Sequence, residues 1–223
     1  MPDPIKVDVW SDIACPWCFI GKRKLEAGVA AFEDSNPGLE VEIEFHSFEL
    51  APDTPVDFEG SEVDFLAKFK GMPEEQVRGM LANVTAVAEE VGLKYDFDNL
   101  QHTRTVKAHQ LLHLAKAHGK QIETEERLMK AYFEEGRHVG RDEDLADLAV
   151  EVGLDRDEVL KSLAADEYLP AVEADQAQAI AYGIQAVPTF VIEGKYGISG
   201  AQAPETFVEV LQKVTDEKAA ASS

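Results

Sequence analysis

Apolar and polar residues alternate along two early stretches of the chain, and a different pattern lies between them. Residues 5–10 and 41–48 have the period of two that is typical of β-strands. Between these stretches, residues 19–32 carry apolar side chains at helical spacing and end at an Asn36-Pro37-Gly38 turn. A strand, a helix and a second strand in this order predict a right-handed parallel crossover.

The middle of the chain shows helical spacing only. A loop rich in proline and acidic residues covers residues 51–60, and amphipathic segments follow it, most of them separated by short breaks that contain glycine. The predicted helices cover residues 63–69, 73–91, 103–118, 122–135, 142–152, 155–163 and 167–182.

The strand pattern returns near the C-terminus. Residues 189–192 and 196–199 predict two short strands about a Glu193-Gly194 turn, residues 204–214 predict a closing helix, and residues 218–223 predict a frayed tail. The order β-α-β, helical block, α-β-β-α predicts an α/β protein with a thioredoxin-like fold and a large all-helical insertion. The thioredoxin-like domain is expected to comprise residues 1–60 and 183–217, with part of the helix 167–182, and the helical insertion residues 61–182.

The charge of the chain restricts its partners. The 223 residues include 43 acidic and 21 basic side chains, for a net charge of −22, so nucleic acid and anionic membranes are excluded as expected partners. The acids are dispersed, which favours a solvated acidic surface over a specific cationic partner, and no apolar run approaches the roughly 18 residues of a membrane span. The N-terminal residues lack the pattern of a secretory signal, so a cytoplasmic location is expected.

The two cysteines of the chain, Cys15 and Cys18, follow the first predicted strand in the segment Asp-Ile-Ala-Cys-Pro-Trp-Cys-Phe. At the start of a helix, unpaired N–H groups and the helix dipole stabilise a thiolate on the first cysteine. The second lies one turn further on, where it could attack a mixed disulfide and release the product. Two alternatives remain open: inert packing, and a zinc or iron–sulfur centre shared across a dimer. We predict a redox pair that requires no cofactor and no metal.

Three segments together resemble one known family. Residues 11–21, the Val187-Pro188-Thr189-Phe190 segment and the Ser199-Gly200-Ala201-Gln202 segment are similar to the DsbA-like thioredoxin superfamily, and to its FrnE-type branch in particular. The resemblance extends over nearly the whole chain and includes Ala108-His109-Gln110-Leu111. It implies a thiol–disulfide oxidoreductase whose substrate is a protein, peptide or glutathione-type disulfide.

The resemblance also implies roles for individual residues. Cys15 would be the nucleophile and the more exposed thiol, and Cys18 the resolving cysteine. Trp17, Val187 and Pro188 would bind substrate, with Trp17 exposed and the backbone of Val187 forming a strand-like contact. The Val187–Pro188 bond is expected to be cis, although an X–Pro bond with no family information favours trans. Trp17 stands where the better-known periplasmic oxidases have histidine, which implies a weaker oxidant.

Two other functions belong to different classes. A glutathione-dependent isomerase or transferase of the same superfamily generally has serine where this chain has Cys15, and a peptide-holding chaperone would need neither thiol. The sequence leaves the oligomeric state open, with a dimer as one alternative.

Several further polar and aromatic residues have a preferred interpretation. Asp12 is expected to cap the helix, with a proton acceptor for the buried thiol as the alternative. His109 and His113 share one helix face, but ordinary surface or pocket histidines are favoured over metal ligands. Trp10 ends the first strand and is expected to lie near the cysteine pair.

Overall fold

A four-stranded mixed sheet forms the frame of the molecule in the computed structural model, which describes residues 3–221. Its order is β2-β1-β3-β4. β1 and β2 are parallel, as a crossover through the first helix requires, and the other two pairs are antiparallel. The strands are β1 Ile5–Ser11, β2 Val41–Ser47, β3 Thr189–Ile192 and β4 Tyr196–Ser199.

The helices occupy the predicted places with shifted ends. The first begins at Pro16, where proline suits the first helical position because no hydrogen bond from its nitrogen is needed. The expected frayed tail is wrong as far as residue 221, because the last helix continues to Ala221; Ser222 and Ser223 lie outside the described residues, as do Met1 and Pro2. The helices are α1 Pro16–Ser35, α2 Glu62–Lys70, α3 Glu74–Glu90, α4 Val106–Ala117, α5 Gln121–Glu134, α6 Asp142–Glu151, α7 Arg156–Ala164, α8 Leu169–Ala181 and α9 Pro204–Ala221.

Two large hydrophobic clusters meet along α1. Leu25 and Phe32, on its later turns, pack with the sheet and α9. Phe19, on its first turns, packs with the helical part of the chain, here α3 to α7, and so do both cysteines. The fold is therefore thioredoxin-like with a helical insertion, and the start of α1 lies where the two parts meet. The domain boundaries at residues 60 and 183 stay a prediction.

Trp10 lies on the other face of the sheet from α1. Side chains alternate along a strand, so Val7 and Val9 face α1 while Trp10 faces α8. Its indole nitrogen donates to the carbonyl oxygen of Asp175 at 3.1 Å, and its ring stacks on His46. Trp10 thus belongs to a small cluster distinct from the one that holds the cysteines, with Val187 packed against both, and its expected proximity to the pair stays a prediction.

Among residues 3–221, no helix combines the length and the apolar character needed to cross a membrane.

Candidate active site

The cysteine pair lies at the start of α1, as the sequence predicts. Cys15 is the N-cap residue, and no side chain caps the helix there. The backbone N–H of Cys18 donates to the carbonyl oxygen of Cys15 at 3.0 Å, which closes the first turn. Both cysteines are free thiols and both are buried, with exposures of 4% for Cys15 and 2% for Cys18. Cys15 is therefore the more exposed of the two, as expected, but only by a small margin.

The two thiols differ in their surroundings more than in their exposure. The Cys15 thiol donates to the carbonyl oxygen of Val187 at an Sγ–O distance of 3.6 Å. Burial raises the pKa of Cys18 well above its ordinary value, and the neighbouring Cys15 raises it further. Cys15 is thus placed at the positive end of a helix dipole, whereas Cys18 is held in its protonated form.

The Val187–Pro188 segment packs directly against the first turns of α1. Its peptide bond is cis, as the family resemblance implies. The N–H of Gly200 donates to the carbonyl oxygen of Pro188 at 2.8 Å. A Cβ atom at Gly21 would come within 2.8 Å of Pro188 Cγ, so the absence of a side chain at Gly21 lets the proline approach the helix.

Tyr95 is a site residue that sequence reasoning missed. Its hydroxyl donates to the carbonyl oxygen of Pro16 at 2.6 Å, and its ring packs against Phe19 and Phe133. Burial raises the pKa of the phenol, so it remains a donor. Tyr95 ties the Cys-Pro-Trp-Cys turn to the helical part, and since it precedes α4 with no periodic pattern around it, no sequence signal indicated this role.

Asp12 forms a buried pair with a residue of α4 and does not cap α1. One carboxylate oxygen accepts from His109 Nε2 at 3.3 Å, and the other accepts from the N–H of Leu50 at 2.8 Å. Burial opposes ionisation of both groups, but the hydrogen bond and the opposite charge lower the pKa of Asp12 and raise that of His109. The capping interpretation is wrong because no side chain caps α1; the carboxylate accepts from the N–H of Ala14 at 3.4 Å before the helix, and its other partners lie far along the chain. As an ion pair, Asp12 is already ionised and has little affinity for a proton from Cys18.

A second buried carboxyl group lies near Cys18. Glu125 of α5 accepts from the hydroxyl of Ser11 at 2.9 Å, and this hydroxyl also lies beside the Cys18 thiol. Glu125 Oε2 and His109 Nδ1 are buried and have no hydrogen-bond partner among the described residues. Burial raises the pKa of Glu125 to about 7, although the charge of His109 opposes this change.

His109 and His113 lie beside different carboxylates. His113 Nε2 lies 3.0 Å from a carboxylate oxygen of Asp175, whereas His109 faces Asp12. The two imidazoles therefore face different carboxylates, which agrees with the preference for ordinary pocket histidines.

One group of described residues has the spacing of a cation site: Asp8, Glu44 and His46. Both ring nitrogens of His46 are already engaged at 2.9 Å, one with Asp8 and one with Asp175. Burial opposes the charge on His46, but these carboxylates raise its pKa to about 9. Lys6 also pairs with Asp8 and Glu44. The protonated imidazole and the lysine supply the positive charge that a metal would supply, so the group is explained as an ion-pair network.

A cavity of about 350 Å³ lies beside Cys15. Its walls come from both parts of the chain: Pro16, Trp17 and Val187 on one side, and side chains of α2 and α3 on the other. Trp17 is 40% exposed, in agreement with the expected surface position. The structure thus brings together all five residues that the sequence indicated, and adds the cavity next to them.

Comparison with known proteins gives one family over most of the chain. The model of the DSBA-like thioredoxin domain matches residues 6–212. An uncharacterised protein of Bacillus subtilis, YwbO, is 31% identical over 213 residues, which are 93% of this chain and 96% of the relative.

Solved structures agree with this result. A probable DsbA oxidoreductase from Streptomyces coelicolor is 38% identical, with a TM-score of 0.87 over 96% of this chain and 91% of the other. The cytosolic disulfide reductase DsbM from Pseudomonas aeruginosa, solved with GSH, is 19% identical, with a TM-score of 0.65 over 95% of this chain and 99% of the other. At that identity the second likeness concerns the fold alone.

Proposed function

This chain belongs to the DSBA-like thioredoxin domain family, and on that premise we propose that it is a thiol–disulfide oxidoreductase acting through Cys15 and Cys18. Its substrates would be protein, peptide or glutathione-type disulfides. The observation that carries the proposal is the position of Cys15, which caps α1 with its sulfur 3.6 Å from the carbonyl oxygen of Val187.

The reaction needs only the two sulfurs and the substrate. The Cys15 thiolate attacks one sulfur of a substrate disulfide, so a bond to Cys15 forms, the substrate S–S bond breaks, and the departing thiolate takes a proton from water. Cys18 then gives up its proton and attacks the Cys15 sulfur, which releases the second substrate thiol and leaves a Cys15–Cys18 disulfide. The same steps in reverse oxidise a dithiol substrate.

Trp17, Val187 and Pro188 are proposed to bind the substrate. The backbone of Val187 lies beside Cys15, where an extended peptide could add a short strand-like contact. Trp17 provides an exposed apolar surface at the cavity beside Cys15.

The test compares Cys18→Ser with Cys15→Ser. Each variant is exposed to glutathione disulfide at neutral pH, quenched with acid and weighed by mass spectrometry. Cys18→Ser should accumulate the mixed disulfide because the resolving thiol is gone, whereas Cys15→Ser should accumulate little because burial holds Cys18 as a thiol. Equal yields, or more adduct on Cys15→Ser, would reverse the assigned roles. If neither variant reacts, the pair serves packing or metal binding instead.

The other two functional classes have less support. The glutathione-dependent isomerases generally have serine at the position of Cys15, which argues against that activity here. A peptide-holding chaperone would keep its activity in a protein that lacks both cysteines, so an aggregation assay on Cys15→Ser/Cys18→Ser separates it from the redox proposal.

Three finer assignments form part of the proposal. The FrnE-type branch has the support of the sequence motifs, and the weaker oxidising power has the support of Trp17 in place of histidine. A cytoplasmic location fits the description of DsbM as cytosolic, and fractionation of the native host tests it directly.

A further inference from the structure

The cavity beside Cys15 has features that the exchange of electrons does not require. Two cysteines at a helix start can react with any accessible disulfide, yet here α2 and α3 add an apolar wall next to them, with Leu66, Val84 and Met80 among its residues. The volume of about 350 Å³ lies at the lower end of the range for small-molecule sites. The size therefore suits one compact group and not a length of folded chain.

A buried imidazole among the lining residues has an unused nitrogen. His102 is 5% exposed, and its Nδ1 lies 2.7 Å from a carboxylate oxygen of Glu62 and 3.3 Å from the hydroxyl oxygen of Tyr132. Its Nε2 is buried and has no hydrogen-bond partner among the described residues. A buried polar atom without a partner is unfavourable, and a hydroxyl on a bound ligand, which can both donate and accept, would remove this cost.

The charge of the whole chain disfavours anions at the cavity. Asp12 and Glu62 are buried in the lining, but each is paired with a histidine, and Lys70 is the one lysine or arginine among the lining residues as described. Since the whole chain has a net charge of −22, an acidic disulfide meets repulsion as it approaches.

We infer that this cavity binds a compact, uncharged, largely apolar group of a low-molecular-weight disulfide, with a hydroxyl directed to His102 Nε2 and the disulfide against Cys15. The inference rests on the proposed function and names its substrate class. In the reaction the Cys15 thiolate forms a bond to the sulfur that carries the bound group, the substrate S–S bond breaks, and the other half leaves as a thiolate that takes a proton from water.

The test measures formation of the mixed disulfide on Cys15 in the Cys18→Ser protein. The probes are bis(4-hydroxybenzyl) disulfide and the small polar bis(2-hydroxyethyl) disulfide. Each rate constant is divided by the rate constant of the same probe with 2-mercaptoethanol, which removes differences in intrinsic reactivity. We expect a normalised preference of about tenfold for the aromatic probe, equivalent to about 1.4 kcal/mol. Dibenzyl disulfide, which lacks the hydroxyl, should lose several-fold of that preference if His102 Nε2 is the partner of that hydroxyl.

Two variants of α3 locate the effect. Asn83 lines the cavity but is itself exposed, so Asn83→Trp should obstruct the space without disturbing the core, and the preference should fall to near one. Ala82→Trp adds the same bulk at an exposed position outside the cavity and should keep the parent preference. A preference near one in the parent protein, or one that Asn83→Trp leaves unchanged, would overturn the inference.

Failure of the proposed function gives a different result. In that case neither probe forms an adduct on Cys15, and the role of the cavity is decided by binding alone. Calorimetric titration of 4-hydroxybenzyl alcohol into Cys15→Ser/Cys18→Ser should then show binding that Asn83→Trp abolishes. Absence of binding would overturn the inference independently of the redox chemistry.

Discussion

Replacing Glu125 by glutamine should stabilise the protein above neutral pH and leave its stability in mild acid unchanged. Glu125 is fully buried, and burial raises its pKa from 4.5 in the unfolded chain to about 7 in the folded protein. The folded state thus holds a proton that the unfolded chain has released, so stability falls as the pH rises from 4.5 to about 7.

The size of the effect follows from this pKa difference. At about 1.36 kcal/mol for each pKa unit, ionisation of Glu125 costs the folded state roughly 3 kcal/mol above pH 7. Glutamine has the shape of the neutral acid and its side-chain oxygen can still accept from Ser11, so Glu125→Gln should avoid most of this cost. The groups that face Glu125 are Ser11, Asp12, Lys22 and His109. The positive charge of His109 opposes the rise in the pKa of Glu125, so the cost of ionisation is smaller than burial alone would give.

Urea unfolding of the reduced proteins between pH 5 and pH 8, at constant ionic strength, measures the difference. Glu126→Gln is the matched control on the next residue. Burial opposes ionisation of Glu126 as well, but hydrogen bonds from Arg23 and Lys22 lower its pKa. Its contribution is therefore fully present above about pH 4.5 and lost only at lower pH, so Glu126→Gln should destabilise the protein by a similar amount at pH 5 and at pH 8. A Glu125→Gln difference that is the same at pH 5 and pH 8 would refute the reasoning.

Three further predictions concern the first turns of α1. Gly21→Ala should lower stability and slow disulfide exchange, because the new Cβ atom would lie 2.8 Å from Pro188 Cγ. The control Gly79→Ala, at a helical glycine with open space around it, should instead raise the free energy of unfolding by about 0.5–1 kcal/mol in the same urea titration. Tryptophan emission should rise on reduction, and Trp17→Phe should remove most of that rise because Trp10 lies in a separate cluster; a rise that survives the substitution would contradict this. Trp17→His should stabilise the reduced form and so raise the reduction potential, by roughly 30 mV for each 1.4 kcal/mol of stabilisation. Titration in glutathione buffers measures this potential, and an unchanged value would contradict the weaker-oxidant proposal.

The elements and the position of the cysteine pair were predictable because their signals are local. The alternation at residues 5–10 and the helical spacing at 19–32 are properties of neighbouring residues, and proline at position 16 favours a helix start. The spacing of Cys15 and Cys18 likewise places both sulfurs on one helix turn. The cis bond at Pro188 is not local in this sense, since it followed from the family resemblance.

Only the tertiary structure decided the partners of the buried polar groups. Asp12 meets His109 across 97 residues and Ser11 meets Glu125 across 114, and nothing near either carboxyl group in sequence indicates such a partner. The pKa of a carboxyl group in a folded protein depends on its partners and its burial. Asp12 and Glu125 lie near the same thiol but have different pKa values, and the hydrophobic pattern of the sequence does not predict this difference. The cavity follows the same principle, because its walls are α2 and α3 brought against the start of α1. The sequence by itself determined which residues are proposed to react, and the packing of the helical part determined what surrounds them.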